Sequence, residues 1–128
     1  MASDSITLLC VDDEDVPRML RMLILQKQGY KVVTAASGKE ALALLEEGEI
    51  DLVLSDQLMP GMLGTELAKL NKAGRPATPV ILISGVNEIP EDAMYVDRFV
   101  SKVEGPERLF QAVAEVLQEY GYVFEGNA

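Results

Sequence analysis

Five short apolar runs, separated by helical patterns, constrain this chain more than any other feature. The runs are Ile6–Val11, Lys31–Ala35, Asp51–Ser55, Pro79–Ser84 and Arg98–Ser101. They are rich in Val, Ile and Leu and mostly continuous rather than alternating. Continuous runs suit strands covered on both faces, as in a parallel sheet. The second and fifth are the least apolar and read as edge strands. Between the runs, Val16, Met19, Leu20, Leu23 and Ile24 follow the i, i+3, i+4 spacing of a core-facing helical stripe. Pro17 fits that helix's first turn and Gly29 its stop. Ala41, Leu42, Leu44 and Leu45 mark a second helix, with Ser37 and Glu40 as a capping box and Gly48 as the stop. Leu63 to Ala73 is a third. Asn87 to Tyr95 holds at best a short fourth, because Pro90 allows it to start only there. Leu109, Phe110, Val113, Val116, Leu117 and Tyr120 form the last. The alternation predicts an α/β fold. Its parallel sheet is doubly wound and five-stranded, with right-handed crossovers, helices on both faces and a shortened fourth helix.

Length and charge narrow the function. At 128 residues the chain is read as one domain, residues 1–128, with an ordered core from about 5 to 121. Lys and Arg number 11 and Asp and Glu 21, a net charge of −10. That disfavours direct nucleic-acid binding, which needs a basic footprint, and excludes a polybasic membrane anchor. No apolar run approaches the roughly 18 residues of a membrane span, and Met1–Ser5 carries no basic leader, so a cytoplasmic protein is expected. There is no histidine, which removes His-based triads and most zinc sites. The one cysteine, Cys10, sits in an apolar run and reads as a buried, inert thiol.

In open α/β sheets, ligands bind beyond the carboxyl ends of the strands. Here Asp12 and Asp13 follow the first run, Asp56 the third, Ser84 closes the fourth and Lys102 follows the fifth. Clustered carboxylates repel one another and call for a hard cation with oxygen ligands, Mg²⁺ in particular. A hydroxyl and an ammonium facing that ion suit a phosphoryl group, and a carboxylate can accept one.

These residues resemble the receiver domain of bacterial two-component response regulators, including the single-domain chemotaxis regulator. The matching pieces are Val11-Asp12-Asp13-Glu14, the stretch from Ser55 through Asp56-Gln57-Leu58-Met59-Pro60-Gly61 to Gly64, Ile83-Ser84-Gly85, and Phe99-Val100-Ser101-Lys102. The resemblance runs from about Ile6 to Tyr120. It implies a flavodoxin-like sheet of order 2-1-3-4-5. It also implies that Asp56 takes a phosphoryl group from the phosphohistidine of a sensor histidine kinase or a histidine phosphotransfer protein. Asp13 would bind Mg²⁺ directly and Asp12 mainly through water, with Asp56 and the Leu58 carbonyl completing the protein's share. Ser84 would move onto the phosphoryl group, Lys102 would pair with it, and Phe99 would turn inward as the switch aromatic. The consequence would be control of an output protein that the sequence does not identify.

Departures from the family pattern are informative. Lys102 is followed by Val103 rather than Pro. A cis non-proline bond costs about 2.5–4 kcal/mol, so Lys102–Val103 is expected trans. Leu63 replaces an Asp that would cap the third helix, a loss of about 1 kcal/mol. The spacing from Ser84 to Lys102 is about one helical turn short, so output is expected to be nonstandard. The alternatives are an aspartyl-phosphate hydrolase of haloacid dehalogenase type, a degenerate receiver that only docks, and a flavodoxin-like cofactor carrier. The first would use Asp13 and Asp15 but needs a cap domain. The second sits poorly with the intact acceptor set. The third needs a Gly/Ser/Thr-rich phosphate loop where Asp12 to Asp15 would repel phosphate.

Overall fold

The computed structural model describes residues 6–85 and 93–122. Its elements are β1 (Thr7–Val11), α1 (Asp15–Lys27), β2 (Lys31–Ala35), α2 (Gly38–Glu46), β3 (Leu52–Asp56), α3 (Gly64–Gly74), β4 (Val80–Ser84), β5 (Arg98–Ser101) and α4 (Pro106–Glu119). The strands form one parallel sheet of order β2-β1-β3-β4-β5. β2 and β5 are its edges, as their weaker apolar runs implied. β3 and β4 are buried at every position.

Successive strand side chains point to opposite faces, so each run feeds two cores. Leu8, Cys10, Leu52, Leu54, Ile81 and Ile83 pack with Leu25 of α1 and with Leu109, Val113 and Val116 of α4. Leu9, Val11 and Val53 pack on the other face with Ala41 and Leu45 of α2 and Leu67 of α3. Cys10 is fully buried, and that burial pushes its thiol up to about 12. Thiol reagents at pH 8 are therefore expected to leave the native protein unlabelled and to label Cys10 only after denaturation. Rapid native labelling would contradict the packing.

The expected helix stops hold: Gly29 and Gly48 take φ of 99° and 81°, a conformation that ends a helix at little cost to glycine. Ser37 accepts from the Glu40 N–H at 3.1 Å, whereas Glu40 reaches back to the N–H of Ala36 rather than of Ser37. α3 begins one residue after the expected start, and the missing cap at Leu63 is made good by other groups. The Gln57 carbonyl accepts from the Gly64 N–H and the Gln57 side chain from the Thr65 N–H, each at 2.9 Å. Glu66 accepts from the Leu63 N–H at 2.9 Å.

Two expectations need correction or restriction. The stripe of α1 was expected to face the core, but Val16, Met19, Leu20 and Leu23 are exposed, and of the five residues only Ile24 is partly buried. The inward face is instead Arg18, Arg21, Met22 and Leu25. The two arginines turn in because acceptors await them. Arg18 donates to the Asp12 carbonyl at 2.8 Å, and Arg21 to the Asp12 carboxylate at 3.3 Å. Between β4 and β5 the described residues hold one turn of 3₁₀ helix, Ala93–Tyr95. The rest of the expected fourth helix, with Pro90, lies outside the described residues.

Candidate functional site

The sheet brings the separated acids together at its carboxyl edge. β1 ends at Val11, so Asp12 leaves the strand buried and Asp13 exposed. Asp56 is the last residue of β3 rather than the first after it, and only 2% of it is exposed. One carboxylate oxygen from each of Asp12, Asp13 and Asp56 lies within 4.8 Å of the others. Ser84 ends β4 and is buried. Its carbonyl accepts from the Lys102 N–H at 2.9 Å, which ties the loop after β5 to the site. The Lys102–Val103 peptide is trans, as its local cost implied, and Lys102 still reaches the acid.

Asp56 is held asymmetrically. Its Oδ2 accepts from Lys102 Nζ at 3.1 Å. Its Oδ1 is buried without a hydrogen-bond partner among the described residues. Burial pushes the Asp56 carboxyl above its ordinary range; the Lys102 hydrogen bond opposes this, and the negative charge of Asp12 adds to it. A buried, unsatisfied carboxylate oxygen on an acid clustered with two further carboxylates fits a hard divalent cation. Asp12 offers less to such an ion, because its Oδ1 already accepts from the Glu14 N–H at 2.9 Å and its Oδ2 from Arg21. That suits contact through water.

The remaining sequence candidates surround this cluster. Leu58 is 68% exposed in the loop just past Asp56. Phe99 is half-buried, opposite Leu82, and belongs to neither core cluster. Asp15, the second acid of the hydrolase reading, is exposed, pairs with Arg18 at 2.6 Å and stands outside the acidic cluster.

Sequence reasoning missed Arg21. Its side chain is 12% exposed, with nitrogens 3.3 Å from Asp12 and 4.0 Å from Asp56. The available signal was the series Arg18, Arg21, Leu25, which shares one helical face directly after the acids. A cleft of about 440 Å³ shares Arg21 and Lys102 with the site and is also lined by Glu14, Pro17, Pro106 and Leu109.

Comparison with known proteins agrees with this geometry. Residues 8–114 match the family model described as the response regulator receiver domain. The chain is 39% identical over 125 residues to the sensor kinase CckA of Brucella abortus, covering 91% of this chain and 13% of the kinase. It is 36% identical over 119 residues to the transcriptional regulatory protein GlrR of Escherichia coli, covering 88% of this chain and 26% of that protein. The chain thus spans a small part of either relative. Among solved structures it resembles the response regulator TrrA of Thermotoga maritima, in complex with Mg²⁺-BeF. The TM-score is 0.83 and the identity 31%, over 87% of this chain and 98% of that one.

Proposed function

The chain belongs to the response regulator receiver domain family, and from that premise we propose that Asp56 is its phosphoacceptor, within one receiver domain formed by residues 1–128. Members of this family are signalling phosphoacceptors rather than classical enzymes. The observation that carries the assignment is the asymmetry of Asp56. One oxygen is anchored on Lys102, the other is buried with no hydrogen-bond partner among the described residues, and the carboxylate shares a cluster with those of Asp12 and Asp13. In the proposed reaction an Asp56 oxygen attacks the phosphorus of a phosphohistidine. The P–O bond forms as the P–N bond breaks, and the imidazole leaves.

Asp13 and Asp56 would hold Mg²⁺ directly, Asp12 through water, and the Leu58 carbonyl would complete the set. The ion's chemistry would be to offset the charge on the phosphoryl oxygens. Lys102 would pair with the phosphoryl group, Ser84 would move onto it, and Phe99 would follow inward. The donor would be a sensor histidine kinase or histidine phosphotransfer protein, and the change would be read by an output protein. α1 begins at the mouth of the site and presents Val16, Met19, Leu20 and Leu23 to solvent, an apolar face of the kind that partners cover. No described helix is long and apolar enough to cross a membrane; a cytoplasmic setting is part of the proposal.

Mixing the protein with acetyl phosphate and Mg²⁺ should add one phosphoryl group to its mass, and EDTA should prevent the gain. Asp13→Ala should slow the gain at limiting Mg²⁺ and approach the parent at high Mg²⁺. A gain indifferent to Mg²⁺ would remove the metal from the account.

Lifetime is a separate matter. Hydrolysis needs a water aligned with the phosphorus, and Leu58 cannot orient one by hydrogen bonding. Leu58→Asn should shorten the half-life of the phosphoprotein several-fold, measured as decay of the mass gain. Equal decay would mean that Leu58 only covers the site. In receiver domains the residue two past the switch hydroxyl also flanks that approach; the one at that position here, Val86, lies outside the described residues.

A further inference from the structure

Arg21 stands where a divalent ion would have to share its ligands. Among the described residues two cations approach Asp56, one on each oxygen: Lys102 on Oδ2 and Arg21, at 4.0 Å, on Oδ1. Arg21 is also 3.3 Å from the fully buried Asp12 carboxylate. Lys102 reaches in from a loop, but Arg21 is fixed on the inward face of α1, and the same helix leaves Val16, Met19, Leu20 and Leu23 exposed. The helix thus commits a charged residue to the site and an apolar face to solvent.

We propose that Arg21 is a built-in counter-ion of the acidic cluster that opposes Mg²⁺ binding: it stabilises the metal-free site through Asp12 and Asp56 and must yield ground when the divalent ion enters. Arg21 is then a positioning residue that raises the Mg²⁺ concentration at which the site loads. The inference rests on the proposed metal role of Asp12, Asp13 and Asp56. The physical ground is like-charge opposition. A guanidinium close to the oxygens an ion needs costs that ion affinity even in a high effective dielectric. A guanidinium keeps its charge at any ordinary pH, so it cannot escape the conflict by losing a proton.

The test compares the parent with Arg21→Met, which keeps most of the side chain's length without the charge, and with Arg21→Lys, which keeps the charge. Calorimetric titration with MgCl₂ should show Arg21→Met binding about tenfold more tightly than the parent. Arg21→Lys should stay nearer the parent. Melting provides the second readout. Arg21→Met should lose more stability relative to the parent in EDTA than in saturating Mg²⁺, because ligand affinity and apparent stability are linked. A side chain that merely packs would lower melting equally in both. Unchanged or weaker Mg²⁺ binding in Arg21→Met, or an equal melting loss in both conditions, would overturn the proposal. If neither parent nor variant bound Mg²⁺, the metal reading beneath it would fall as well. Mg²⁺ binding by the parent with no change in Arg21→Met would remove the Arg21 inference alone. If Arg21→Met did not fold in EDTA but folded with Mg²⁺, that too would support the counter-ion role, and failure to fold in both would pass the test to Arg21→Gln in the same titration: tighter Mg²⁺ binding than the parent in support, unchanged or weaker binding against.

Discussion

Asp56→Asn is expected to abolish acyl phosphate formation altogether while leaving the protein folded, and in EDTA to make it more stable. The loss follows because an amide lacks the carboxylate nucleophile, and the two other acids of the cluster do not share its placement. Asp12 has both oxygens engaged and Asp13 is exposed. The gain in stability follows from burial. Because the folded state holds the Asp56 proton more tightly than the unfolded chain does, unfolding becomes easier as pH rises from the ordinary carboxylate value of 3.8 through the raised folded value. Asparagine has no charge to form, so its advantage should be absent well below pH 3.8 and grow above it. Melting curves across that range, with acetyl phosphate labelling at neutral pH, check both parts. Undiminished labelling of the variant would remove Asp56 as acceptor.

Gly64→Ala is expected to destabilise the protein by about 3 kcal/mol, the upper part of the overpacking range, and to lower its melting temperature by about 10 °C. A Cβ at Gly64 would collide with the carbonyl oxygen of Asp56 and stand 2.5 Å from Leu82 Cδ1. The carbonyl belongs to the backbone of β3 and cannot swing aside. The Gly64 N–H is also bound to the Gln57 carbonyl at 2.9 Å, so α3 cannot back away without losing its start. Labelling of Asp56 should slow as well, since relief of the clash moves the acceptor's own peptide. Gly38 is the control. A Cβ there would meet Met62 Sδ at 2.5 Å and its Cβ and Cγ at 3.0 Å, all atoms of one side chain rather than backbone, so Gly38→Ala should cost less. Similar melting of Gly64→Ala and the parent would contradict the close approach.

The strands were legible because burial on both faces demands uninterrupted apolar residues, and the edge assignments of Lys31–Ala35 and Arg98–Ser101 came from the same rule. The placement of the candidate residues was legible because strand ends in an open parallel sheet converge on one edge, so Asp12, Asp13, Asp56, Ser84 and Lys102 needed only their order along the chain. The face of α1 was not. Counting apolar spacing treats arginine as a surface residue, whereas three nearby carboxylates make the interior the better place for Arg21 and push Val16, Met19, Leu20 and Leu23 outward. The α3 cap was missed for a similar reason. Leu63 cannot cap, but Gln57, at the β3 end of the intervening loop, lies against the helix start and supplies acceptors for two of its N–H groups. Both misses concern polar groups whose partners lie outside their own helix, and both lie beside Asp56.

The central claim is that the phosphoryl group goes to Asp56. It is tested most directly by labelling the unmodified protein with acetyl phosphate and Mg²⁺, trapping the acyl phosphate by borohydride reduction, and mapping the reduced residue by peptide mass spectrometry. The account predicts a single reduced position, Asp56, in the peptide that ends β3, and none when Mg²⁺ is withheld. Reduction at Asp12 or Asp13 instead, or a stable phosphoryl group on a hydroxyl side chain such as Ser84, would contradict it.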